Sequence, residues 1–454
     1  MSNTWRSLLV LVFTGLGAIA LQAQNENATI KPKSNSPYSR FGLGDVLPGY
    51  LAGSAGMGGL TAAYNDFYHL NLANPAALAH LKATSFEVGL YGKYTKLATP
   101  SGKDDVWGGN LSYLALGFPL KNPVNRALDR NRSPWDFGMS LSLAPYTRVG
   151  YSIESKTYND GFKEATNYLK GDGGIYRAQW GNSVKYKNLS LGLNLEYNFG
   201  KAVYSRRVAF DSLAHSYETE YRNEIAINGL SYTLGAQYVY NFKKLNAKGE
   251  MENTGKRIIV GAYGRPAQNL NSESSRFFQR NNISSYVGVV IDTFLLESGV
   301  KNAVDMPVEW TIGISYEQIN KLRVGLEYSS GKWSKFANPA KPEQLTDSYR
   351  FAAGVEYVPN LTSYNSYTQK IYYRAGFYQA GDPRTVNGQQ LKQTAVTLGF
   401  GFPIIMPRQQ VSFVDLSLEA GKFGVKDVLT ESFIKLNLGF TLNDNSWFFK
   451  RKFN

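Results

Sequence analysis

The feature that most constrains the fold is an alternation of apolar and polar residues that recurs from Ala83 to the end of the chain. In Leu189–Phe199, Leu322–Tyr328 and Tyr349–Tyr357, every second residue is apolar. Successive side chains of a β-strand point to opposite faces of the sheet, so this period of two predicts strands with one apolar and one polar face. The chain is therefore expected to be all-β after Ala83.

Runs of this kind are numerous enough to form a closed barrel. Further runs begin near Phe86, Phe137, Leu230, Trp310, Tyr373, Thr394 and Ile434, and weaker ones cover Val106–Leu120, Gly174–Tyr186, Arg257–Pro266 and Val411–Glu419. The total is about fourteen, and bacterial outer-membrane barrels have an even number of strands. A soluble β-sandwich shows the same alternation, so the period alone leaves both architectures open.

The aromatic content and the two ends of the chain favour a membrane barrel. The sequence has 31 Tyr and 25 Phe among 454 residues, and aromatic side chains form belts at both membrane surfaces. The last run, Ile434–Phe440, is followed by Trp447–Phe453, where aromatic and basic residues stand together as at a membrane interface. Met1–Ala23 has one basic residue, an apolar core and a small final residue, which is the pattern of a cleavable secretory signal.

Composition excludes several other classes of protein. The mean hydropathy is −0.31, and no later stretch offers the ~20 apolar residues of a spanning helix, which excludes a polytopic helical membrane protein. Cysteine is absent, so disulfides, thiol nucleophiles and cysteine zinc sites are excluded.

The net charge is +14, or one less without residues 1–23, whose only charged side chain is Arg6. Because Lys and Arg are scattered and interleaved with Glu, anionic lipopolysaccharide at the rim is a more natural partner than nucleic acid.

One stretch ahead of the strands has a different character. Gly53–Leu81 lacks a strand period, is rich in small residues and is interrupted by the turn signal Asn74-Pro75. A compact segment of this kind is expected to fit inside a barrel rather than form its wall. We predict that it is a plug, and that Ser36–Asp45, which precedes it, lies at the periplasmic mouth.

Particular residues of this stretch resemble the N-terminal plug of the FadL/TodX family of outer-membrane hydrocarbon transporters. They are Met57, Gly58, Gly59, Ala62, Ala63, Asp66, Asn74, Pro75, Ala76 and Leu78, with a departure at Ala77, where that family usually has glycine. Three later segments, Met306–Tyr316, Lys321–Phe336 and Tyr349–Pro359, are similar in order and spacing to later strands of the family. Together, the pattern and the resemblance predict a transmembrane antiparallel β-barrel of about fourteen strands with an N-terminal plug. The expected organisation is a signal peptide (1–23), a periplasmic segment and plug (24–82) and an outer-membrane barrel (83–454).

A proline inside a long strand pattern is the most informative single residue. Pro145 stands within Gly138–Ile153, where it cannot donate a hydrogen bond to a ladder. From the residues alone it marks a strand end or a bulge near the rim. Ala144-Pro145-Tyr146 also resembles an Ala-Pro-Phe on the third strand of the FadL family, where a kink opens the wall towards the lipid. The resemblance implies a lateral opening here, and the kink and the bulge stay equal alternatives.

The polar faces of the strands carry charges of both signs. The set is Glu87, Glu196, Glu317, Arg323, Glu327, Arg350, Glu356, Arg374 and Lys435. Paired carboxylates occur at acid–base catalytic sites, but unpaired charges in a packed lumen are costly, so we interpret the set as a ladder of ion pairs. His69, His80 and His215 have no spacing that builds a metal site, and no catalytic or phosphate-binding motif is present. We therefore expect no catalysis, no metal and no other cofactor.

Three longer insertions, Tyr158–Gly171, Tyr204–Glu224 and Ala267–Val304, are expected to be loops. Barrels of this kind place long loops outside and short turns in the periplasm. Ser284–Leu296 is apolar enough for an extra hairpin or an extended strand, but we count it as loop.

Two functions from different classes fit these patterns. In the first, the resemblance implies a barrel that passes hydrophobic small molecules, such as long-chain fatty acids, from outside into an apolar pocket and then sideways when the plug shifts. In the second, the barrel is a non-transporting subunit of an outer-membrane secretion or assembly machine, with other outer-membrane proteins as partners. A secreted soluble β protein is a third interpretation.

Overall fold

A computed structural model of the chain describes residues 36–100, 102–121, 133–159, 163–210, 217–245, 251–282, 289–405 and 411–444. Three parts of the sequence predictions lie outside these residues: the signal peptide 1–23, residues 24–35 of the periplasmic segment, and the aromatic, basic end 447–453.

The described residues form seventeen strands and a few short helices. The strands are β1 (Asp45–Val46), β2 (Thr84–Thr99), β3 (Gly102–Pro119), β4 (Trp135–Asn159), β5 (Lys163–Tyr186), β6 (Leu189–Ala209), β7 (Tyr217–Leu245), β8 (Met251–Arg265), β9 (Gln268–Asn282), β10 (Val289–Met306), β11 (Glu309–Gln318), β12 (Leu322–Gly331), β13 (Ser348–Tyr357), β14 (Tyr372–Val386), β15 (Gln389–Ile405), β16 (Val411–Val425) and β17 (Leu429–Asp444). The helices are α1 (Ala52–Ala55) and the 3₁₀ turns Pro37–Arg40, Pro75–His80, Trp333–Lys335 and Thr368–Lys370. Among the described residues, none of the helices has the length and apolar character to cross a membrane.

Fourteen of the strands close into an antiparallel barrel. The order around the ring is β2 to β8 followed by β11 to β17, because β8 pairs directly with β11. The ring closes where β17 pairs with β2, from Thr430 opposite Ala98 to Asp444 opposite Thr84. We call the end that holds Thr84 and Asp444 the terminal end, and the other the far end. The predicted antiparallel barrel of about fourteen strands is confirmed.

The alternation in the sequence sorts side chains between the two faces of this wall. On β12, Leu326 is 47% exposed whereas its neighbour Glu327 is 4% exposed. Outward-facing Leu, Ile, Val and aromatic side chains recur on every strand of the ring, whereas the buried charges point inward. An apolar outer surface around a polar interior is the arrangement of a transmembrane barrel.

Aromatic pairs mark two levels on the outer surface. Towards the terminal end, the rings of Trp135 and Tyr186 lie 4.6 Å apart. Towards the far end, the rings of Tyr94 and Trp107 lie 4.6 Å apart, and Trp107 is 73% exposed. Belts of this kind lie at the two surfaces of a membrane, so the wall between them faces hydrocarbon.

The prediction that Ala267–Val304 is a loop is wrong, because the described residues on either side of 283–288 form two paired strands, which we call the β9–β10 hairpin. β9 and β10 pair with each other, and β9 also pairs with the first half of β7, beside the ring rather than in it. The β9–β10 ladder has three register shifts within ten residues, between Val290 and Val300. Each bulge inserts an extra residue and resets the period of two, so the hairpin left no regular alternation in the sequence.

The insertions Tyr158–Gly171 and Tyr204–Glu224 are also largely strand where they are described. They continue β4, β5, β6 and β7, which have 25, 24, 21 and 29 residues. A transmembrane strand needs only about 9–11 residues, so these four extend well beyond the membrane at the far end.

The segment from Ser36 to Ala83, which we call the inner segment, lies within the ring. It begins at the far end, where the Tyr38 hydroxyl donates to the carbonyl of Leu429, the first residue of β17. It then runs past α1 and the 3₁₀ turn Pro75–His80 to enter β2 at the terminal end. Ser36–Asp45 is therefore at the end opposite to the one through which the chain enters the barrel wall.

Candidate functional site in the lumen

The inner segment contacts the wall through glycines on twelve of the fourteen ring strands. They are Gly117, Gly138, Gly181, Gly192, Gly235, Gly261, Gly313, Gly325, Gly354, Gly376, Gly399 and Gly439, which we call the glycine belt. A Cβ added at Gly354 would lie 2.2 Å from the Met57 carbonyl oxygen, and one added at Gly261 would lie 1.8 Å from the Ala62 carbonyl oxygen. No side chain separates the two backbones at these points, so the inner segment fits the wall at van der Waals distance.

Hydrogen bonds fix the first half of the predicted plug motif to strands β12, β13 and β15. The Gly58 amide donates to Thr397 Oγ1 at 2.8 Å, and Arg350 donates to the Gly58 carbonyl. The amides of Thr61 and Ala62 both donate to Glu327 Oε2 at 2.6 Å. Met57 is fully buried between them, and Gly58 and Gly59 both have φ of +67°, a conformation that favours glycine.

The second half of the motif is held by its own polar side chains and by β7. Asn74 accepts a hydrogen bond from the Ala76 amide at 3.1 Å, which caps the 3₁₀ turn that begins at Pro75. Its Nδ2 donates to the Ala62 carbonyl at 2.7 Å. Gln237 of β7 donates to the same carbonyl at 2.9 Å. All these groups are buried, and together they tie the two ends of the motif to each other.

The predicted lumen charges fall into separate groups rather than one ladder. Arg323 lies 3.2 Å from Glu317 and 3.4 Å from Glu356, which also accepts from Arg374 at 2.7 Å. Glu327 pairs with Arg350 at 3.4 Å, elsewhere on the wall.

Glu196 and Glu87 have partners that the sequence analysis missed. Glu196 lies 3.2 Å from both Arg177 and Arg265. Glu87 accepts from the Leu70 amide at 2.6 Å instead of pairing with another strand. Arg177 and Arg265 lie on the inward faces of β5 and β8, so the period of two in those strands was the signal that could have found them.

His69 and Asp66 join the inner segment to the ion pairs that Arg323 and Arg374 make on the wall. His69 Nε2 lies 2.9 Å from Asp415 Oδ2, and His69 Nδ1 lies 3.4 Å from Asp66 Oδ1. Asp415 also accepts from Arg374, and Asp66 lies 3.6 Å from Arg323. Burial alone would lower the pKa of His69, but Asp415 and Asp66 raise that pKa well above its usual value. His69 is therefore a buried cation that bridges two carboxylates.

The His69 bridge should make stability depend on pH in one direction. A group whose pKa is raised on folding stabilises the folded state below its unfolded pKa of about 6.5, and the contribution is lost as the pH rises through the folded value. At pH 6, His69→Gln should cost about 3–5 kcal/mol, as expected when one partner of a buried ion pair is removed. Urea unfolding of both proteins at pH 6 and at pH 10 measures this, and the difference between them should shrink at pH 10. A constant difference would show that His69 is neutral.

A cavity of about 390 Å³ occupies the lumen on the far side of the inner segment. Its lower boundary is the apolar cluster that contains Leu51, Leu72 and Tyr113. Its upper boundary includes Tyr146, which belongs to a second apolar cluster. That cluster, which we call the outer cap, comprises Leu43, Tyr146, Ile175, Ile225, Ile227, Leu270, Val304, Met306, Trp333, Phe336, Ala340 and Leu345. The outer cap joins the inner segment, β4, β5, β7, β9, β10 and the β12–β13 connection, and Tyr146 is the member that also lines the cavity.

The wall beside this cavity is interrupted between β3 and β4. β3 pairs with β4 only from Leu114 opposite Leu143 to the terminal end. Beyond that point β4 turns to the inner segment, with Asp45 opposite Arg148 in a short ladder with β1. The register of β4 with β5 also shifts after Pro145. β4 therefore separates from β3 next to Pro145, where it also has a bulge, and it stays paired with β5 on its other side.

The cavity reaches this interruption. Its lining includes Ala144 and Pro145 on β4, and Ser112 and Tyr113 on β3 beyond the last pair. It also includes Leu90, whose side chain is 42% exposed on the outer surface. This interruption of the wall between β3 and β4, which we call the gap, lies between the two aromatic levels, so it faces hydrocarbon rather than water.

Within the described residues, no group of three or more His, Asp and Glu side chains is arranged to hold a metal ion. His80 Nε2 and Ser190 Oγ lie 2.9 Å apart and form a buried hydrogen bond. His215 lies outside the described residues.

Comparisons with known proteins agree with this architecture. The family model described as BamG matches residues 6–454. A FadL homologue from Pseudomonas aeruginosa is similar in structure, with a TM-score of 0.55 and 12% identity over 88% of this chain and 99% of that one. The toluene transporter TbuX of Ralstonia pickettii has a TM-score of 0.53 and 15% identity, over 87% of this chain and 99% of its own. The toluene transporter TodX of Pseudomonas putida has a TM-score of 0.52 and 17% identity, over 88% and 99%. No curated protein sequence matches the chain. The resemblance to the FadL/TodX family is confirmed at the level of the fold.

Proposed function

Because the chain belongs to the BamG family and folds as a FadL/TodX-like transmembrane barrel, we propose that it takes hydrophobic small molecules into its central cavity and exchanges them with the membrane through the gap between β3 and β4. The observation that carries this proposal is the continuity of the cavity with the gap. A cavity of this size is within the range of about 300–1,000 Å³ found for small-molecule sites. The toluene transporters named above share the fold, which supports the class of ligand and leaves its identity open.

We further propose that the barrel lies in the outer membrane with its terminal end in the periplasm. The long strands β4 to β7, which extend beyond the membrane at the far end, support this orientation, because barrels of this kind place their longer extensions outside. In it, Ser36–Asp45 lies on the outer side, opposite to the periplasmic mouth where the sequence analysis placed it. The reason is that the inner segment starts at the far end, where Tyr38 bonds to Leu429, and passes through the lumen before it enters β2 at the terminal end.

The inner segment acts as the plug in this proposal, and it stays in place. The inner segment contacts belt glycines on twelve strands, so a shift would break contacts around most of the ring at once. Ligand therefore leaves sideways without displacement of the plug, which differs from the shifting plug expected from the sequence.

A matched pair of tryptophan variants tests the lateral path. Ala144 lines the cavity at the gap, whereas the adjacent Leu143 is 41% exposed on the lipid side. Ala144→Trp should fill the passage and reduce uptake of a hydrophobic probe such as hexadecane into proteoliposomes severalfold. Leu143→Trp adds the same side chain to the outer surface and should leave uptake unchanged. Equal uptake by both variants, at equal amounts of heat-modifiable folded protein, would reject the lateral path.

The second candidate, a non-transporting subunit of an outer-membrane complex, is favoured by one feature. The β9–β10 hairpin exposes Ile291, Phe294 and Leu296 to 47%, 47% and 65%, at the far end beyond the aromatic level. Apolar side chains that face neither lipid nor core are typical of protein interfaces. Extraction from native membranes with mild detergent distinguishes the two: a large complex that is lost in a Phe294→Glu, Leu296→Glu variant would favour the second candidate.

A further inference from the structure

One side of the gap is a bare strand edge. β3 pairs with β2 along most of its length, but on its other side it pairs with β4 only from Leu114 onwards. Among the described residues, no strand covers that other side from Gly102 to Tyr113. The opposite side of the gap is not bare, because the inner segment bonds to β4 there, as where the Leu47 amide donates to the Tyr146 carbonyl at 2.9 Å.

Two side chains of β3 show which backbone groups face the bare edge. The Asp105 amide donates to Asp104 Oδ1 at 2.8 Å, and the Leu111 amide donates to Asn110 Oδ1 at 2.7 Å. An amide that bonds to β2 points at β2 and is not available to the side chain of the preceding residue. The amides of Asp105 and Leu111 therefore point away from β2, towards the bare edge.

The backbone groups of Trp107 and Gly109 face the same way. The N–H and C=O groups of an antiparallel strand alternate between its two sides, and β2 and β3 pair without a register shift from Gly102 to Leu111. Trp107 belongs to the far aromatic level, and β3 runs from there towards the terminal end. This part of the bare edge therefore lies in hydrocarbon, where open sheet edges that face lipid do not occur. In the membrane, the edge must be covered.

The side chains along the edge indicate what can cover it. Asp104, at the far end of the edge, is exposed and stands opposite Leu97, so β2 offers it no cation directly across the ladder. A basic residue on a covering strand would pair with it. Trp107 and Leu111 are on the lipid side, so the covering strand needs apolar residues at alternate positions.

A second copy of the chain does not fit this edge. Two copies in one membrane keep the same orientation, and pairing of β3 with β3 would relate them by a twofold axis along the membrane normal. Barrel strands tilt by about 35–45°, so the two β3 strands would cross at about twice that angle instead of pairing. A closed barrel of another kind has no free strand to offer, which leaves an extended segment of a different protein.

We propose that the edge of β3 from Asp104 to Leu111 binds an extended segment of another outer-membrane protein, which adds to the wall as a strand and closes the gap. The segment has apolar residues at alternate positions and a basic residue at its far end. Main-chain hydrogen bonds supply the affinity of such an addition, and the alternate side chains supply its specificity. This inference rests on the gap of the proposed function, and it adds a partner that would close the lateral path.

Hydrogen exchange of β3 in three preparations tests the proposal. They are native outer-membrane vesicles, the purified full chain in detergent, and the purified full chain in nanodiscs of the vesicle lipids. In the vesicles, the Trp107 and Gly109 amides should exchange at least about tenfold more slowly than in both purified preparations, because only there is the segment present to bond them. The Val106 and Gly108 amides face β2, so they should be equally protected in all three and serve as the internal control.

Three results would overturn the proposal. Fast exchange of Trp107 and Gly109 in every preparation means that nothing covers the edge. Slow exchange in every preparation means that the chain's own residues cover it. Slow exchange in vesicles and nanodiscs, with fast exchange in detergent, assigns the cover to lipid.

Photo-cross-linking in the same vesicles tests whether the cover is a strand. Benzoylphenylalanine in place of Trp107 or of Leu111 should attach to one protein, at points about four residues apart, because paired strands rise equally per residue. The same replacement at Leu326, which is 47% exposed on a fully paired strand, is the matched control and should not attach to that protein. Attachment to lipid alone, or at points without this spacing, would reject strand addition.

These readouts are independent of transport. If Ala144→Trp leaves hexadecane uptake unchanged while the exchange and cross-linking results hold, the lateral path falls and the strand site remains. If Ala144→Trp reduces uptake while Trp107 and Gly109 exchange alike in all preparations, the strand site falls and the lateral path remains.

Discussion

Gly261→Ala should loosen the inner segment and turn a silent barrel into a conducting one, whereas Gly92→Ala should leave it silent. The added Cβ at Gly261 would lie 1.8 Å from the Ala62 carbonyl oxygen, so one of the two backbones must move. Overpacking of this kind costs about 1–3 kcal/mol or more. At Gly92 an added Cβ meets nothing within 4 Å, so the same change of residue has no steric consequence.

Planar-bilayer recordings and limited proteolysis measure this outcome. Gly261→Ala should show channel openings and faster cleavage within residues 36–83, at an unchanged yield of folded barrel. If both variants are silent and equally protected, the close approach at the glycine belt does not hold the inner segment in place.

Removal of Gly53–Leu81 should have the largest effect on conductance, because it leaves an inserted barrel with an open lumen. The ring closes through strand pairs alone, including those of β17 with β2, and none of these pairs involves the deleted residues. The charges that the segment now covers, such as Glu327 and Arg374, would become hydrated by water in the lumen, which reduces the cost of losing their partners. The diameter of a barrel grows with its number of strands, so an emptied fourteen-stranded ring encloses a wider lumen than the barrels of about eight strands whose interior is filled by side chains.

Single-channel recordings of the deletion protein and of wild type test this prediction. Persistent large openings in the deletion protein, against a closed wild type, would support a plug role for Gly53–Leu81. A deletion protein that folds, inserts and stays silent would mean that other parts of the chain, such as the outer cap, block the lumen.

The wall of the barrel was predictable because each ring strand repeats one local rule. Leu326 and Glu327 differ in exposure because neighbouring side chains of a strand face opposite ways, and this information is present in the sequence itself. The interruption at Pro145 was predictable for the same reason, since a residue without an amide hydrogen cannot continue a ladder. Kink and bulge were equal alternatives in the sequence, and the structure has a register shift between Pro145 and Thr147 and no β3 pairing beyond Leu143 among the described residues.

The contacts of the lumen were less predictable because they join residues that are far apart in the chain. His69 lies against Asp415, and nothing near either residue specifies the other. The glycine belt was hidden for a different reason. A glycine in a strand weakens that strand, and only the backbone of the inner segment beside it explains why Gly261 or Gly354 is there. The β9–β10 hairpin was missed because its bulges remove the periodicity that revealed the other strands.

The enclosure of the inner segment also sets the order in which the chain can fold. Thr397 bonds to Gly56 across 341 positions of the sequence, and the belt glycines of the last strands meet residues that were synthesised first. Loop-closure entropy must be overcome before such distant contacts stabilise anything, so they form late and slowly. Until β17 meets β2, the inner segment lacks part of its enclosure, and an incomplete barrel exposes it to proteases. Barrel closure is therefore the step that converts a protease-sensitive chain into a resistant one.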